Sequence, residues 1–122
     1  MRREHRLRRK AEIDRVYREG RLVSGPLVTL RVRPNGLDTF RFAVVAGKRV
    51  GSAVVRNRVR RRLREIGRQL PIRPGLDLVF GARPEAATAT FSELTAAVID
   101  LLRRAKALGG TPADRPMATF PR

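Results

Sequence analysis

The sequence predicts an α+β fold in one small domain. Three segments carry apolar residues at the spacing of an amphipathic helix, and three others are short apolar or alternating runs typical of strands. With 122 residues and a hydrophobic fraction of 42%, the chain has the size of a single domain and can bury a modest core. We therefore expect one domain over residues 10–108, preceded by a basic arm at 1–9 and followed by a flexible tail at 109–122.

The first predicted helix covers residues 10–19, where Ile13, Val16 and Tyr17 recur at helical spacing. Gly20 follows directly, at the position where a C′ glycine ends many helices. This segment is therefore predicted to end at the glycine.

Two strands are predicted at 27–33 and 39–46, on either side of the turn signal Pro34-Asn35-Gly36. Leu30 and Val32 would face one side of the first strand, since side chains alternate along a strand. Because a turn joins them, the two strands are expected to form an antiparallel hairpin. A third strand at 76–82 is almost entirely apolar and is expected to be more deeply buried.

The second predicted helix covers residues 53–70 and begins after Ser52, a favourable N-cap residue. The stretch from Lys48 to Arg68 contains nine lysines or arginines and one acid, Glu65. Its apolar residues form one helical stripe: Val55, Val59, Leu63, Ile66 and Leu70. The opposite side of the helix carries Asn57, Arg61, Arg64 and Arg68. The pattern predicts a helix that packs on one face and presents a rigid positive surface on the other.

A last helix is predicted from the capping-box spacing of Thr90 and Glu93 to Gly109 and Gly110. Its expected buried side comprises Leu94, Ala97, Val98, Leu101, Leu102 and Leu108.

The formal net charge is +17, which opposes compaction unless a polyanion neutralises it. Nucleic acid is the favoured partner, and an anionic membrane surface is the second candidate. A helix that is basic only for solubility would normally mix acids with bases at i,i+4. The loop from Gly47 to Ser52 does not match a nucleotide-triphosphate loop, so it is expected either to receive an RNA phosphate or to form a structural turn.

The chain has no cysteine and one histidine, His5, which lies in the basic arm without an evident partner. Disulfides and thiolate metal sites are excluded, and the eleven scattered carboxylates form no evident metal cage or acid–base pair. We therefore expect no catalytic residue and no metal site on the protein. The N-terminus lacks the apolar segment of a secretion signal, and the expected compartment is the cytoplasm.

The run from Lys48 to Arg61, KRVGSAVVRNRVRR, strongly resembles the protein subunit of bacterial ribonuclease P. Two further segments are similar to that family, namely Arg6-Leu7 before the short helix that ends at Gly20, and the strand DLVFGARP from Asp77 to Pro84. The resemblance covers about residues 5–108, in order and with the spacing of the family.

The resemblance implies a small two-layer α/β sandwich, similar to a ribosomal-protein fold, with the order α-β-β-β-α-β-α. A fourth strand is then required between Leu22 and Val45, at a position that periodicity leaves open. The arginine-rich helix would lie in a left-handed βαβ crossover, against the usual right-handed rule.

The resemblance also implies that the partner RNA holds the catalytic Mg²⁺ and removes the 5′ leader of precursor tRNA. The protein would bind the catalytic RNA and the leader, with no membrane and no stable protein partner. The implied RNA-binding residues are Lys48, Arg49, Arg56, Asn57, Arg58, Arg60, Arg61, Arg62, Arg64 and Arg68. The implied leader cleft is formed by Ile13, Tyr17, Thr29, Arg31, Val45, Asn57, Arg61 and Arg64.

The chain departs from the family at Ile13 and Arg31, where many members have aromatic residues. Weaker base stacking and a steeper salt dependence are expected, because phosphate contacts release counterions. Tyr17 could stack on a leader base or be a half-buried core tyrosine. The main alternative function is a structural protein that binds ribosomal RNA, followed by a membrane-surface protein and a stand-alone nuclease.

Overall fold

The structure is a computed structural model and describes residues 5–109. The elements are α1 (Lys10–Glu19), β1 (Arg21–Ser24), β2 (Val28–Pro34), β3 (Arg41–Val45), α2 (Ala53–Gln69), β4 (Leu76–Ala82) and α3 (Phe91–Arg104). Short 3-10 helices lie at Lys48–Val50 and Pro84–Thr88. The α-β-β-β-α-β-α order implied by the resemblance is confirmed. Most of the predicted tail (110–122) and the first four residues of the predicted arm lie outside the described residues.

The four strands form one sheet in the order β1-β2-β4-β3. The strand that periodicity left open is β1, which pairs antiparallel with β2. The predicted hairpin is wrong, because β4 lies between β2 and β3, antiparallel to the first and parallel to the second. The first five residues of β4 are all buried, and a strand buried on both faces is stabilised by a neighbour on each side. A turn between β2 and β3 is compatible with this arrangement and does not by itself fix the pairing.

Helix α2 connects the parallel neighbours β3 and β4. This confirms a βαβ unit that contains the arginine-rich helix. The left-handed sense of the crossover stays a prediction.

The main core lies between the sheet and the helices α2 and α3, where Leu30, Phe42, Leu63, Leu78 and Leu102 are fully buried. Helix α1 covers part of the opposite face, and a small second core forms there from Leu7, Val16 and Val79. The rest of that face stays open, which creates the space for a binding site.

Gly20 ends α1 for a different reason from the predicted one. Its φ of −83° is not left-handed, but a Cβ at this position would lie 2.4 Å from the carbonyl oxygen of Val16. The close approach of the backbone therefore requires glycine.

The predicted caps of the other helices are confirmed: Ser52 accepts a bond from the Val55 amide, and Thr90 and Glu93 form a capping box. The predicted end of the last helix at Gly109 is wrong, because α3 ends at Arg104.

Candidate nucleic-acid interface

Helix α2 has the two faces that its sequence predicts. Val59, Leu63 and Ile66 are at most 2% exposed, and Val55 and Leu70 pack against the same core from its margin. On the other side, Asn57, Arg61, Arg64 and Arg68 are all exposed. The phase of the apolar stripe therefore fixes which basic side chains face solvent.

Three arginines between these faces are held by backbone carbonyls. Arg58 donates to Ala87 (3.1 Å), Arg62 to Ala89 (3.3 Å) and Arg60 to Ala46 (3.3 Å). These neutral acceptors orient the guanidinium groups without cancelling their charge. The result is a basic surface whose geometry is set by contacts within the protein.

The remaining residues predicted to bind RNA differ in their surroundings. Arg60 also donates to Asn57 Oδ1, and Arg68 pairs with Glu65. Lys48 and Arg49 are exposed on the 3-10 helix before α2. The Nε of Arg56 is buried without a hydrogen-bond partner among the described residues.

An open cleft of about 540 Å³ lies on the α1 face of the sheet. It brings together the predicted leader residues Tyr17, Thr29 and Val45, and adds Lys48 and Arg49 at its rim. Tyr17 is 41% exposed, so it is not a core side chain. Arg31 places its guanidinium carbon 4.6 Å from the centre of the Tyr17 ring.

A second hollow of about 280 Å³ contains the predicted leader residues Ile13 and Arg64. Asn57 and Arg61 line neither hollow; they are exposed on α2. Arg31 lines neither hollow, but it contacts Tyr17 at the edge of the cleft. The other predicted leader residues fall into three groups, of which two lie in the hollows and one lies on the outer face of α2.

Sequence reasoning missed three basic residues at these hollows. Arg83 lines the larger hollow, and Arg6 and Arg8 line the smaller one. Arg83 directly follows a buried strand, and this position in the sequence could have identified it as a candidate site residue. The positions of Arg6 and Arg8 depend on how the N-terminal segment docks, which periodicity does not report.

A buried ionic cluster fixes α1 on the sheet. Asp77 on β4 is 1% exposed and accepts two bonds from Arg41, at 2.9 and 2.8 Å. Arg41 also donates to Glu12 of α1 at 3.0 Å. The pKa of Arg41 is raised, mainly by its hydrogen bond to Asp77, with burial acting in the opposite direction. The stabilisation that comes from the charge of Arg41 is therefore present throughout the neutral range and is lost as the pH rises through this raised pKa, in strong alkali.

The described part of the predicted arm is attached to the sheet. The His5 ring stacks on Phe40 at 4.1 Å, and its Nδ1 lies 2.9 Å from the Phe40 carbonyl oxygen. The amide of Leu7 donates to the Phe42 carbonyl at 3.0 Å. The expectation that His5 has no partner is wrong, because its partner is 35 residues away along the chain.

Within residues 5–109, no group of three or more histidines, cysteines or carboxylates could hold a metal ion. No helix in this part of the chain is long and apolar enough to cross a membrane.

The family model described as Ribonuclease P matches residues 1–106. Among curated relatives, the ribonuclease P protein component of Chloroflexus aggregans is 46% identical over 121 residues, covering 97% of this chain and 89% of the relative. The corresponding protein of Roseiflexus castenholzii is 42% identical, covering 95% and 98%.

Solved structures of the same family agree with the fold. The ribonuclease P protein of Staphylococcus aureus superposes with a TM-score of 0.78 at 26% identity, covering 86% of this chain and 98% of that one. The protein from Thermotoga maritima gives 0.75 at 28% identity, covering 81% and 96%. These matches support ribonuclease P and give no support to the ribosomal alternative. The chain belongs to the ribonuclease P protein family, and it is the protein component of the RNA–protein endonuclease that processes the 5′ end of tRNA.

Proposed function

We propose that this protein binds the catalytic RNA through α2 and the preceding loop, and holds the 5′ leader of precursor tRNA on the α1 face of the sheet. The observation that carries the proposal is the joint presence of Tyr17, Lys48 and Arg49 at one open cleft. An exposed ring beside cations suits a single strand, which offers both bases and phosphates.

The RNA-binding surface gains its affinity from arginines that are already oriented. Arg58, Arg60 and Arg62 are held by backbone carbonyls, so less side-chain freedom is lost when a phosphate binds. Asn57, Arg61 and Arg64 on the outer face remain exposed for direct contact.

The leader would follow the hollows along α1. Tyr17 supplies a ring for stacking, Arg31 adds charge beside it, and Thr29 and Val45 form the floor. Single-stranded RNA is favoured over a duplex, because stacking on a side chain needs an unpaired base.

The catalytic Mg²⁺ is assigned to the RNA partner, and the protein contributes no catalytic group. In this proposal the protein raises the affinity for the precursor and allows cleavage at lower magnesium, because its cations reduce repulsion between two RNA chains. The cytoplasmic location expected from the sequence stays a prediction.

The test is cleavage of precursor tRNA by a bacterial ribonuclease P RNA at low magnesium, with and without the full-length protein. Wild type would be compared with Arg56→Ala/Arg58→Ala and with the matched control Arg15→Ala/Arg18→Ala, which removes two exposed charges from α1. Thermal unfolding of each variant would separate loss of binding from loss of folding.

Stimulation by wild type and by the control, with loss in the α2 variant, supports the proposal. Absence of stimulation by wild type with its cognate RNA would overturn it. Cleavage by the protein alone would overturn the assignment of catalysis to the RNA.

A further inference from the structure

Three arginines meet where the N-terminal segment passes α2. Arg6, Arg8 and Arg64 line the hollow of about 280 Å³, together with the apolar residues Ile13 and Ala43. Arg6 and Arg8 also line an adjoining open hollow of about 720 Å³. The charges of two distant chain segments therefore converge on one concave surface.

The cluster has no acidic partner among the described residues. Within residues 5–109, the side chains of Arg6, Arg8 and Arg64 make no hydrogen bond and no ion pair. The nearby carboxylate of Glu12 is bonded to Arg41. The pKa of Arg64 is lowered, first by burial and then by the charges of Arg6 and Arg60. Mutual repulsion of this kind is relieved when an anion binds between the cations.

The cluster is held in place by the backbone. Leu7 is 4% exposed in the small core, and its amide donates to Phe42 on β3. His5 lies two residues before Leu7, and its ring stacks on Phe40. Arg6 and Arg8 flank the buried Leu7 and remain exposed, so their chain positions are fixed while their guanidinium groups are free to bind.

We propose that Arg6, Arg8 and Arg64 form a phosphate-binding site for a phosphodiester of RNA, at the N-terminal end of α1 and apart from the Tyr17 cleft. The inference rests on the proposed RNA-binding function and extends it to the N-terminal segment. Guanidinium groups match phosphate oxygens with paired hydrogen bonds. The phosphodiester belongs either to the catalytic RNA or to the leader, and the two sources are separable by experiment.

The test uses the full-length variant Arg6→Gln/Arg8→Gln, whose substituted side chains are exposed and leave the small core intact. The affinity for the catalytic RNA alone, and the affinities of the holoenzyme for precursor and mature tRNA, would be measured across a range of salt concentrations. Each lost phosphate contact should reduce the slope of log K against log salt by about 0.7–0.9, which is about a five- to eightfold loss of affinity at 0.1 M salt. The matched control, Arg15→Gln/Arg18→Gln, has the same change in charge at exposed positions that line neither hollow. Arg6→Lys/Arg8→Lys should keep most of the salt slope, since each lysine retains a positive charge.

Two binding arms identify the source of the phosphate. If the phosphate belongs to the catalytic RNA, the variant binds the isolated catalytic RNA more weakly than wild type does, and its slope of log K against log salt is reduced. If it belongs to the leader, binding to the catalytic RNA is unchanged, and the holoenzyme loses affinity for precursor tRNA but not for mature tRNA. Equal slopes for the variant and the control in both arms would overturn the inference. Failure of wild type to bind either RNA would instead overturn the proposed function.

Discussion

The guanidinium group of Arg31 covers one face of the Tyr17 ring, with its central carbon 4.6 Å from the ring centre. A cation in this position is attracted to the ring, and the contact also restricts the orientation of the tyrosine. A leader base would therefore meet a ring that is already held and is 41% exposed. The pair combines a stacking surface and a positive charge in one place.

Tyr17→Ala should weaken leader binding by about 1–3 kcal/mol, because the stacking surface is lost. Tyr17→Phe should remain close to wild type, because the ring is kept. The measurement is the affinity of the holoenzyme for precursor tRNA relative to mature tRNA. An equal loss for both substrates would contradict a leader-specific role.

Arg31→Gln should reduce the salt slope of leader binding by about 0.7, the value for one phosphate contact on a single strand. Titration of precursor tRNA at several salt concentrations would measure it. If the leader affinity of the wild type hardly changes with salt, the assignment of Arg31 to the leader site is wrong.

Arg41→Met should lower the free energy of unfolding by about 3 kcal/mol, because Asp77 stays buried without its main partner. Urea denaturation would give the value, with the exposed Arg15→Met as control. The double variant Arg41→Met/Asp77→Asn should be more stable than Arg41→Met alone. If the single and double variants unfold at the same urea concentration, the buried charge is not the cause.

Arg58→Ala and Arg61→Ala should separate stability from RNA binding. Arg58 donates to the carbonyl of Ala87, and its loss should lower the free energy of unfolding by about 1 kcal/mol. Arg61 is exposed, and its loss should change stability by less than about 0.5 kcal/mol. Both variants should bind the catalytic RNA more weakly. Normal RNA binding by Arg61→Ala would exclude this side chain from the interface.

Gly67→Ala should destabilise the protein even though alanine favours helices. A Cβ at Gly67 would lie 2.8 and 2.9 Å from two ring atoms of Phe42. Overpacking of this kind costs about 1–3 kcal/mol, against a gain of about 1 kcal/mol in helix propensity. Thermal unfolding would measure the net change in stability. Gly47→Ala is the control, because no atom lies within 4 Å of its added Cβ.

Local patterns in the sequence were sufficient to locate the three helices, although not the end of α3. The apolar stripe of α2 correctly placed Asn57 and Arg61 on the exposed face, because helical geometry links sequence position directly to direction. The Ser52 cap was likewise predictable, since its partner lies three residues away.

Pairing over long distances was not predictable from the same patterns. The insertion of β4 between β2 and β3 depends on which strands bury the most apolar surface together, and a local turn contains no record of that. The Asp77–Arg41 pair spans 36 residues. The resemblance to a family supplied the element order, while the docking of His5 and Leu7 became visible only in the structure.

The attachment of Leu7 to Phe42 also affects how the protein behaves among its own copies. Strand β3 lies at an edge of the sheet, and such an edge exposes unpaired backbone groups that can recruit another chain. The bridge from Arg6 to Phe42 occupies the beginning of that edge. The other edge is β1, which is only four residues long. A sheet with these edges offers few free backbone groups for pairing with another copy of the chain.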